Sequence, residues 1–320
     1  MRRTLLVPLA VLLVVGACGK TETPSTAKPK SDVASVAVGT GPIGITATPS
    51  GDVWVAVDDA DKIVRLRAGA AHPTAEVPVP GTPLRLTSAE GGAALWVTPF
   101  RQGAVVRVDT ATHKITDQVP VGAGAEGVAE AFGSVWVAAQ DDGLLVRVDP
   151  AARKVVHKVD VGTGVRLVVP GPDALWLAEH TTGEVIAVDP VTYHVRRSEH
   201  VCDGPEDLAA DAQTVWVTCS VSEELVALGT ADLKVTRRIK LDGTPDAITT
   251  APDGSLLVVL QDGPTLVRLD SSTGKELSRV RLSKQKQLYD QANVDVVVTG
   301  DDAWVTSFAD RRVFRTPWRG

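Results

Sequence analysis

Apolar and polar residues alternate over short runs along most of this chain, and turn residues break the runs every eight to ten positions. That spacing predicts β-strands joined in a meander, not helices. One stretch shows the grammar. Glu126–Glu130, Val135–Ala138, Leu145–Val148 and Lys154–Val161 read as four strands, separated by Phe132-Gly133, Asp141-Asp142-Gly143 and Asp149-Pro150-Ala151-Ala152. The second strand is apolar on both faces, as a strand packed between two other layers must be. The third and fourth alternate apolar and charged as they approach solvent.

The second strand also carries a phrase that recurs. Asp52-Val53-Trp54-Val55, Ala94-Leu95-Trp96-Val97, Ser134-Val135-Trp136-Val137, Ala174-Leu175-Trp176-Leu177, Thr214-Val215-Trp216-Val217, Ser255-Leu256-Leu257-Val258 and Asp302-Ala303-Trp304-Val305 follow at intervals of 42, 40, 40, 40, 41 and 47 residues. Repeats of about 40 residues built from short strands predict an all-β, seven-bladed β-propeller of four-stranded antiparallel blades. The indole suits the second strand because twisted blades leave a wide gap there. The seventh copy supplies only three strands, Val294–Thr299, Ala303–Ser307 and Arg312–Thr316, whereas Val33–Gly39 reads as an outer strand without a blade. Pairing the two ends would cover exposed edges and close the ring.

Val105–Ile115 with Val119-Pro120-Val121-Gly122 resembles the YVTN-type propeller repeat, and Leu145–Gly162 and Val185–Val195 are weaker copies. Gly44-Ile45-Thr46 followed by Gly51–Val55 is similar to repeats of the virginiamycin B lyase group of seven-bladed propellers. The resemblance spans residues 33–320 and implies architecture first. It also implies an alternative activity, a metal-assisted lyase or lactone hydrolase whose channel-face histidine opens an inner-strand phrase of His-x-Ile type. No inner-strand phrase here contains histidine.

The start of the chain reads separately from the blades. Arg2 and Arg3 precede an apolar run, Leu5–Val15, too short to span a bilayer but suited to a signal peptide over residues 1–17. Val15-Gly16-Ala17-Cys18 resembles the bacterial lipobox, which implies cleavage before Cys18 and acylation of its sulfur and new amino group, palmitate among the chains. Residues 18–32 carry no large apolar residue and read as a disordered tether. The expected location is the extracytoplasmic face of the cell membrane, within the cell envelope. Loss of Arg2 and Arg3 takes the formal charge from −6 to −8. A mildly acidic, mixed surface gives no footprint for nucleic acid, and the protein is expected to be a monomer. In that compartment Cys202 and Cys219 can pair, since both fall at one end of the fifth blade.

Function should lie where the inner strands line the central channel and where second strands turn into third. Aligned inner strands place Glu126, Glu206 and Asp246 at one position, and Arg85, Arg166, Asp207 and Asp295 at the next. Those five carboxylates are the candidate ligands for a divalent ion, Mg²⁺ or Ca²⁺, because hard cations take clustered oxygens; a water-filled polar channel is the plainer reading. On the loops of the same face, Phe100, Arg101 and Phe308 are candidates to grip a partner. His180 with Glu179 is the candidate general base. The link 283–293, some six residues longer than its counterparts and holding Tyr289, is a natural recognition loop. No HExxH, glycine-rich phosphate loop or Gly-x-Ser-x-Gly is present. The leading expectation is a binding module for a protein or small ligand, through Tyr289, Phe100, Arg101, Phe308, Arg85 and Arg166.

Overall fold

A computed structural model describes residues 33–261, 263–285 and 293–319. The signal, the tether, Cys18 and Tyr289 lie outside the described residues. The rest folds into seven four-stranded antiparallel sheets, the expected seven-bladed propeller. In blade 3 the strands are Ala125–Ala131, Ser134–Ala139, Leu144–Asp149 and Lys154–Asp160, running from the channel outward. The other blades repeat this order, and no strand crosses between sheets.

Ring closure uses both ends of the chain. Ala34–Ala37 pairs antiparallel with Arg312–Pro317, with Ala34 opposite Arg315 and Ala37 opposite Arg312. The first strand thereby becomes the outer strand of blade 7, as its sequence suggests.

Packing between blades supplies the core. Each second strand is buried along its whole middle, and each of its tryptophans joins the apolar cluster shared with the following blade. Trp54 meets Leu86, Leu95 and Val106 of blade 2, and Trp136 meets Val165, Leu175 and Ile186 of blade 4. In blades 1, 3 and 7 an arginine on the third strand lies across from the indole and stacks over it, as Arg65 on Trp54 and Arg147 on Trp136, 5.8 and 5.6 Å from the ring centroids; in blades 4 and 5 Ala187 and Ala227 hold that place.

Blade 6 breaks the pattern, because Leu257 holds the tryptophan slot opposite Arg268. The void is filled from the other end of the chain. Trp318, 1% exposed, packs in one cluster with Leu257, Val259 and Leu266 of blade 6 and Val305 and Phe314 of blade 7. Its Nε1 donates to the Gly300 carbonyl at 3.1 Å, and Arg268 lies over its ring at 5.3 Å. Trp318 thus completes the seam between blades 6 and 7.

Three seams carry a further brace. Thr98, Thr218 and Thr306 are buried two residues after their tryptophans. Their hydroxyls donate to inner-strand carbonyls of the next blade, those of Glu126, Asp246 and Ile43, at 2.5, 2.5 and 2.7 Å. A carbonyl turned toward an apolar seam needs such a partner.

Candidate functional site

Where the inner strands reach the channel their register slips, between Pro42 and Ile45, Pro83 and Arg85, Ala125 and Val128, Pro205 and Leu208, and Pro245 and Ile248. A bulge re-aims side chains and leaves backbone N–H groups outside the ladder, and those donors must find acceptors. Channel carboxylates supply them. Asp295 accepts from Val296 N of its own strand at 2.8 Å and from Ile45 N of blade 1 at 3.1 Å. Asp207 accepts from Leu208 N at 2.7 Å and Ile248 N of blade 6 at 3.0 Å. Asp246 takes Val294 N of blade 7 at 3.3 Å and Gln261 Nε2 at 3.0 Å on one oxygen. At the position of Asp207 and Asp295 blade 3 has Gly127, where a Cβ would come within 2.6 Å of the Arg166 carbonyl oxygen.

These carboxylates include the sequence's candidates for a divalent ion. Glu126, Glu206, Asp207, Asp246 and Asp295 do line the channel, but three of them act as caps for neighbouring blades. Among the described residues no three His, Cys, Asp or Glu side chains converge on a point where a metal ion could be held.

On the side of the second-to-third-strand turns, the channel opens into a cavity of about 180 Å³. Its walls include Arg85, Arg166, His180, Glu206 and Asp246, with Ser220, Gln261 and Asn293 around them. Arg166 is held between two carboxylates, its Nε 3.4 Å from Glu126 and its Nη1 3.3 Å from Glu206. Glu206 also accepts from Ser220 Oγ at 2.8 Å and lies 3.5 Å from His180 Nδ1. Beneath is a second space of about 150 Å³, apolar along Ile45, Leu86, Val128 and Val294 and acidic at Asp207 and Asp295. Arg85, Leu167 and Asp246 border both spaces. Arg85 Nη1 lies 3.5 Å from Asp295.

Five carboxylates face two guanidinium groups, and three of the carboxylates, all aspartates, bind protons more tightly than usual. Burial, and after it the charge of Asp295, pushes Asp207 from its ordinary 3.8 up to about 7. Burial and then Glu206 push Asp246 to about 7. Asp295 is raised by burial against the opposing pull of Arg85. The neighbouring charge of Glu126 above all keeps Arg166 firmly protonated. Asp207 and Asp246 therefore bind protons more tightly folded than unfolded. Between about pH 4 and about pH 7 the native state holds more protons, so stability falls as pH rises through that window and levels above it. Exposed carboxylates held low by turn hydrogen bonds, such as Asp270 at about 2, act with the opposite sign but at lower pH. The melting temperature should drop by about 5 °C between about pH 5 and pH 7.5. Asp246→Asn, which keeps an acceptor for Val294, should shrink that drop; an unchanged pH profile would refute the assignment.

The structure sorts the remaining candidates. His180 stands in the mouth cavity, but Glu179 does not share it. Glu179 is buried and accepts from Thr181 N and Thr182 N in its own turn. Burial raises its carboxyl, yet the hydrogen bonds from Thr182 and Thr181 outweigh that and hold it low. The Nδ1 of His180 lies 3.3 Å from the Pro205 carbonyl oxygen and 3.5 Å from Glu206, both of the next blade. The residue four after each tryptophan slot begins the turn at the mouth: Asp58, Phe100, Gln140, His180, Ser220, Gln261 and Phe308. Of these, His180, Ser220 and Gln261 line the cavity, whereas Phe100 and Phe308 do not. Phe308 packs near Gly41 and borders a separate hollow with Asp59, Gln285 and Arg311. Arg101 is exposed, and its charge partly offsets the rise of Asp58, which burial and Asp59 push to about 6.

The expected bond joins Cys202 and Cys219, with Cα atoms 6.1 Å apart. It sits directly behind the cavity wall. Cys219 precedes Ser220, whose Oγ reaches both Glu206 and the Gly204 carbonyl, and Cys202 opens the segment that leads to Glu206. The bond is legible in the sequence, whereas this placement and the caps on the bulged strands are not.

Fold and channel together define a seven-bladed β-propeller with a polar, open-mouthed axis. No protein-family model matches the chain, and no curated protein matches it. Among solved structures it is similar to virginiamycin B lyase from Staphylococcus aureus, with a TM-score of 0.75 and 17% identity over 90% of this chain and 99% of that one. A catalytically inactive histidine-to-alanine variant of that lyase, solved with quinupristin, matches equally. Kuenenia stuttgartiensis hydrazine synthase matches with a TM-score of 0.75 and 18% identity over 92% of this chain and 99% of that chain. At such identities, and with neighbours of different chemistry, the likeness shows the fold alone.

Proposed function

We propose that this chain is a lipid-anchored, extracytoplasmic propeller that binds a ligand or partner through the mouth of its channel. The observation that carries the reading is the mouth cavity itself. Charged side chains of blades 2, 4, 5 and 6 converge on it, and Arg166, Glu206, His180 and Ser220 hold one another in place. Groups fixed before a ligand arrives cost little to order on binding. A concave site with convergent polar groups is the usual form of a ligand site. The anchor rests on the lipobox-like Val15-Gly16-Ala17-Cys18.

A second reading, a lyase or lactone hydrolase like the solved lyase, rests on His180 lying 3.5 Å from Glu206 in an open cavity, where an imidazole can move a proton. The binder needs neither a metal nor turnover.

Thermal scans of the full chain against fractions of its own cell-envelope extract, and against Mg²⁺ or Ca²⁺ alone, separate the readings. A fraction should raise the melting temperature of the wild type and leave Arg166→Ala unmoved. Equal shifts in both proteins would place binding elsewhere, and stabilisation by the metal alone would favour the enzyme. In the same cells Cys18→Ser should leave the membrane fraction; retention without lipid would remove the anchor.

A further inference from the structure

The mouth cavity presents both signs of charge within a volume equal to on the order of six water molecules. We propose that it binds a small zwitterion of amino-acid size, the carboxylate on Arg166 and Arg85 and the ammonium on Asp246 and Glu206. This rests on the mouth being the binding site.

Arg166 is presented as a carboxylate receptor would need. Glu126, 3% exposed, grips its Nε from behind, while 36% of the arginine side chain stays open. With Nε facing Glu126 and Nη1 donating to Glu206, Nη2 has no partner among the described residues and is left to donate to an incoming anion. Asp246 is the complementary pole. Its two hydrogen bonds, from Val294 N and Gln261 Nε2, fall on one oxygen, and no salt bridge reaches it among the described residues. Burial and then Glu206 hold a proton on this carboxyl up to about pH 7 against the pull of Arg85 and Arg166, and an ammonium can take that proton's place. Ser220, Gln261 and Asn293 add uncharged hydrogen-bonding groups around the same space.

Ligands with one charge fit less well. An anion would bring a further negative charge beside Glu206 and Asp246, which already share the space. A cation alone would leave Nη2 of Arg166 without an acceptor. A zwitterion satisfies both poles and adds no net charge to a channel already rich in carboxylates.

Proton linkage gives the site a signature. The ionisable groups facing Asp246 are Glu206, Arg85 and Arg166 at the mouth and Asp207 and Asp295 below, with His180 across Glu206. An ammonium binds the ionised form of Asp246, so one proton must leave below about pH 7, and affinity should weaken about tenfold per pH unit there. Titration calorimetry of the full chain with glycine, L-alanine and L-asparagine tests this, with ethylamine and acetate as single-charge controls. At about pH 7.5 the amino acids should bind, and the controls at least about tenfold more weakly. Arg166→Gln and Asp246→Asn should each cost about tenfold or more while melting as cooperatively as wild type. The pH slope should survive in His180→Gln and flatten in Asp246→Asn. Ethylamine or acetate binding as tightly as alanine would overturn the zwitterion. So would a slope that disappears in His180→Gln and persists in Asp246→Asn. If no amino acid binds while an envelope fraction still shifts wild type but not Arg166→Ala, the ligand class is wrong and the mouth remains the site. If neither occurs, both readings fall.

Discussion

Trp318→Ala should be among the most damaging single changes in this protein, lowering stability by about 4 kcal/mol and the melting temperature by on the order of 10 °C. The residue lies in a turn just after the strand Arg312–Pro317, outside every blade strand. Here its indole fills the seam that Leu257 is too small to fill, supports Arg268 on one face and bonds Gly300. Removing it empties a cavity against two blades and leaves the Gly300 carbonyl without its donor. Trp318→Phe should recover most of the packing but not the hydrogen bond, at a cost near 1 kcal/mol. Denaturant melts of the two variants beside wild type decide the matter. A loss below about 1 kcal/mol for the alanine would show that the seam closes without Trp318.

Loss of the disulfide should rank next. The bridge closes a loop across 17 residues, and freeing it in the unfolded chain is worth about 3 kcal/mol. Cys202→Ala with Cys219→Ala should fold, because six blades are built without such a bond, but should melt lower by that amount. The effect should be local as well. Amide exchange in Asp203–Asp207, which carries Glu206 into the cavity, should speed up more than exchange in blades 1 to 3. Uniform acceleration around the ring would show that the bond steadies the whole domain and has no special tie to the mouth.

The fold was legible because the tryptophan phrase marks one strand of each blade and the unpaired strands at the two ends match each other. A seam residue outside the phrase escapes such reading: nothing near Trp318 repeats, so its role appears only when blades 6 and 7 are set side by side. The channel residues were legible as a set, since strand alignment brought Arg85, Arg166, Glu206 and Asp246 to the axis. Their duties were not. Asp207, Asp246 and Asp295 each accept from a backbone N–H of the next blade, whereas Glu206 takes Ser220 and Arg166 instead. Glu179 and His180 are neighbours in sequence, yet the turn that begins at Glu179 satisfies its carboxylate locally and leaves the imidazole to the next blade. Tyr289 lies outside the described residues, and Phe100 and Phe308 stand at the rim without entering the cavity.

The pairing of Ala34–Ala37 with Arg312–Pro317 sets the order in which the molecule can be made. Ala34–Ala37 has no partner until Arg312–Pro317 has been made, and a contact of that sequence separation is slow to form. Until then the blades form an open arc with a bare strand edge at each end, the exposed surface on which chains pair with one another. Latching is therefore the step that turns a row of blades into a ring. The growing chain should be most prone to aggregate just before it, and shortening by a few residues at either end of the domain should prolong that interval far more than an equal deletion in a mid-ring turn.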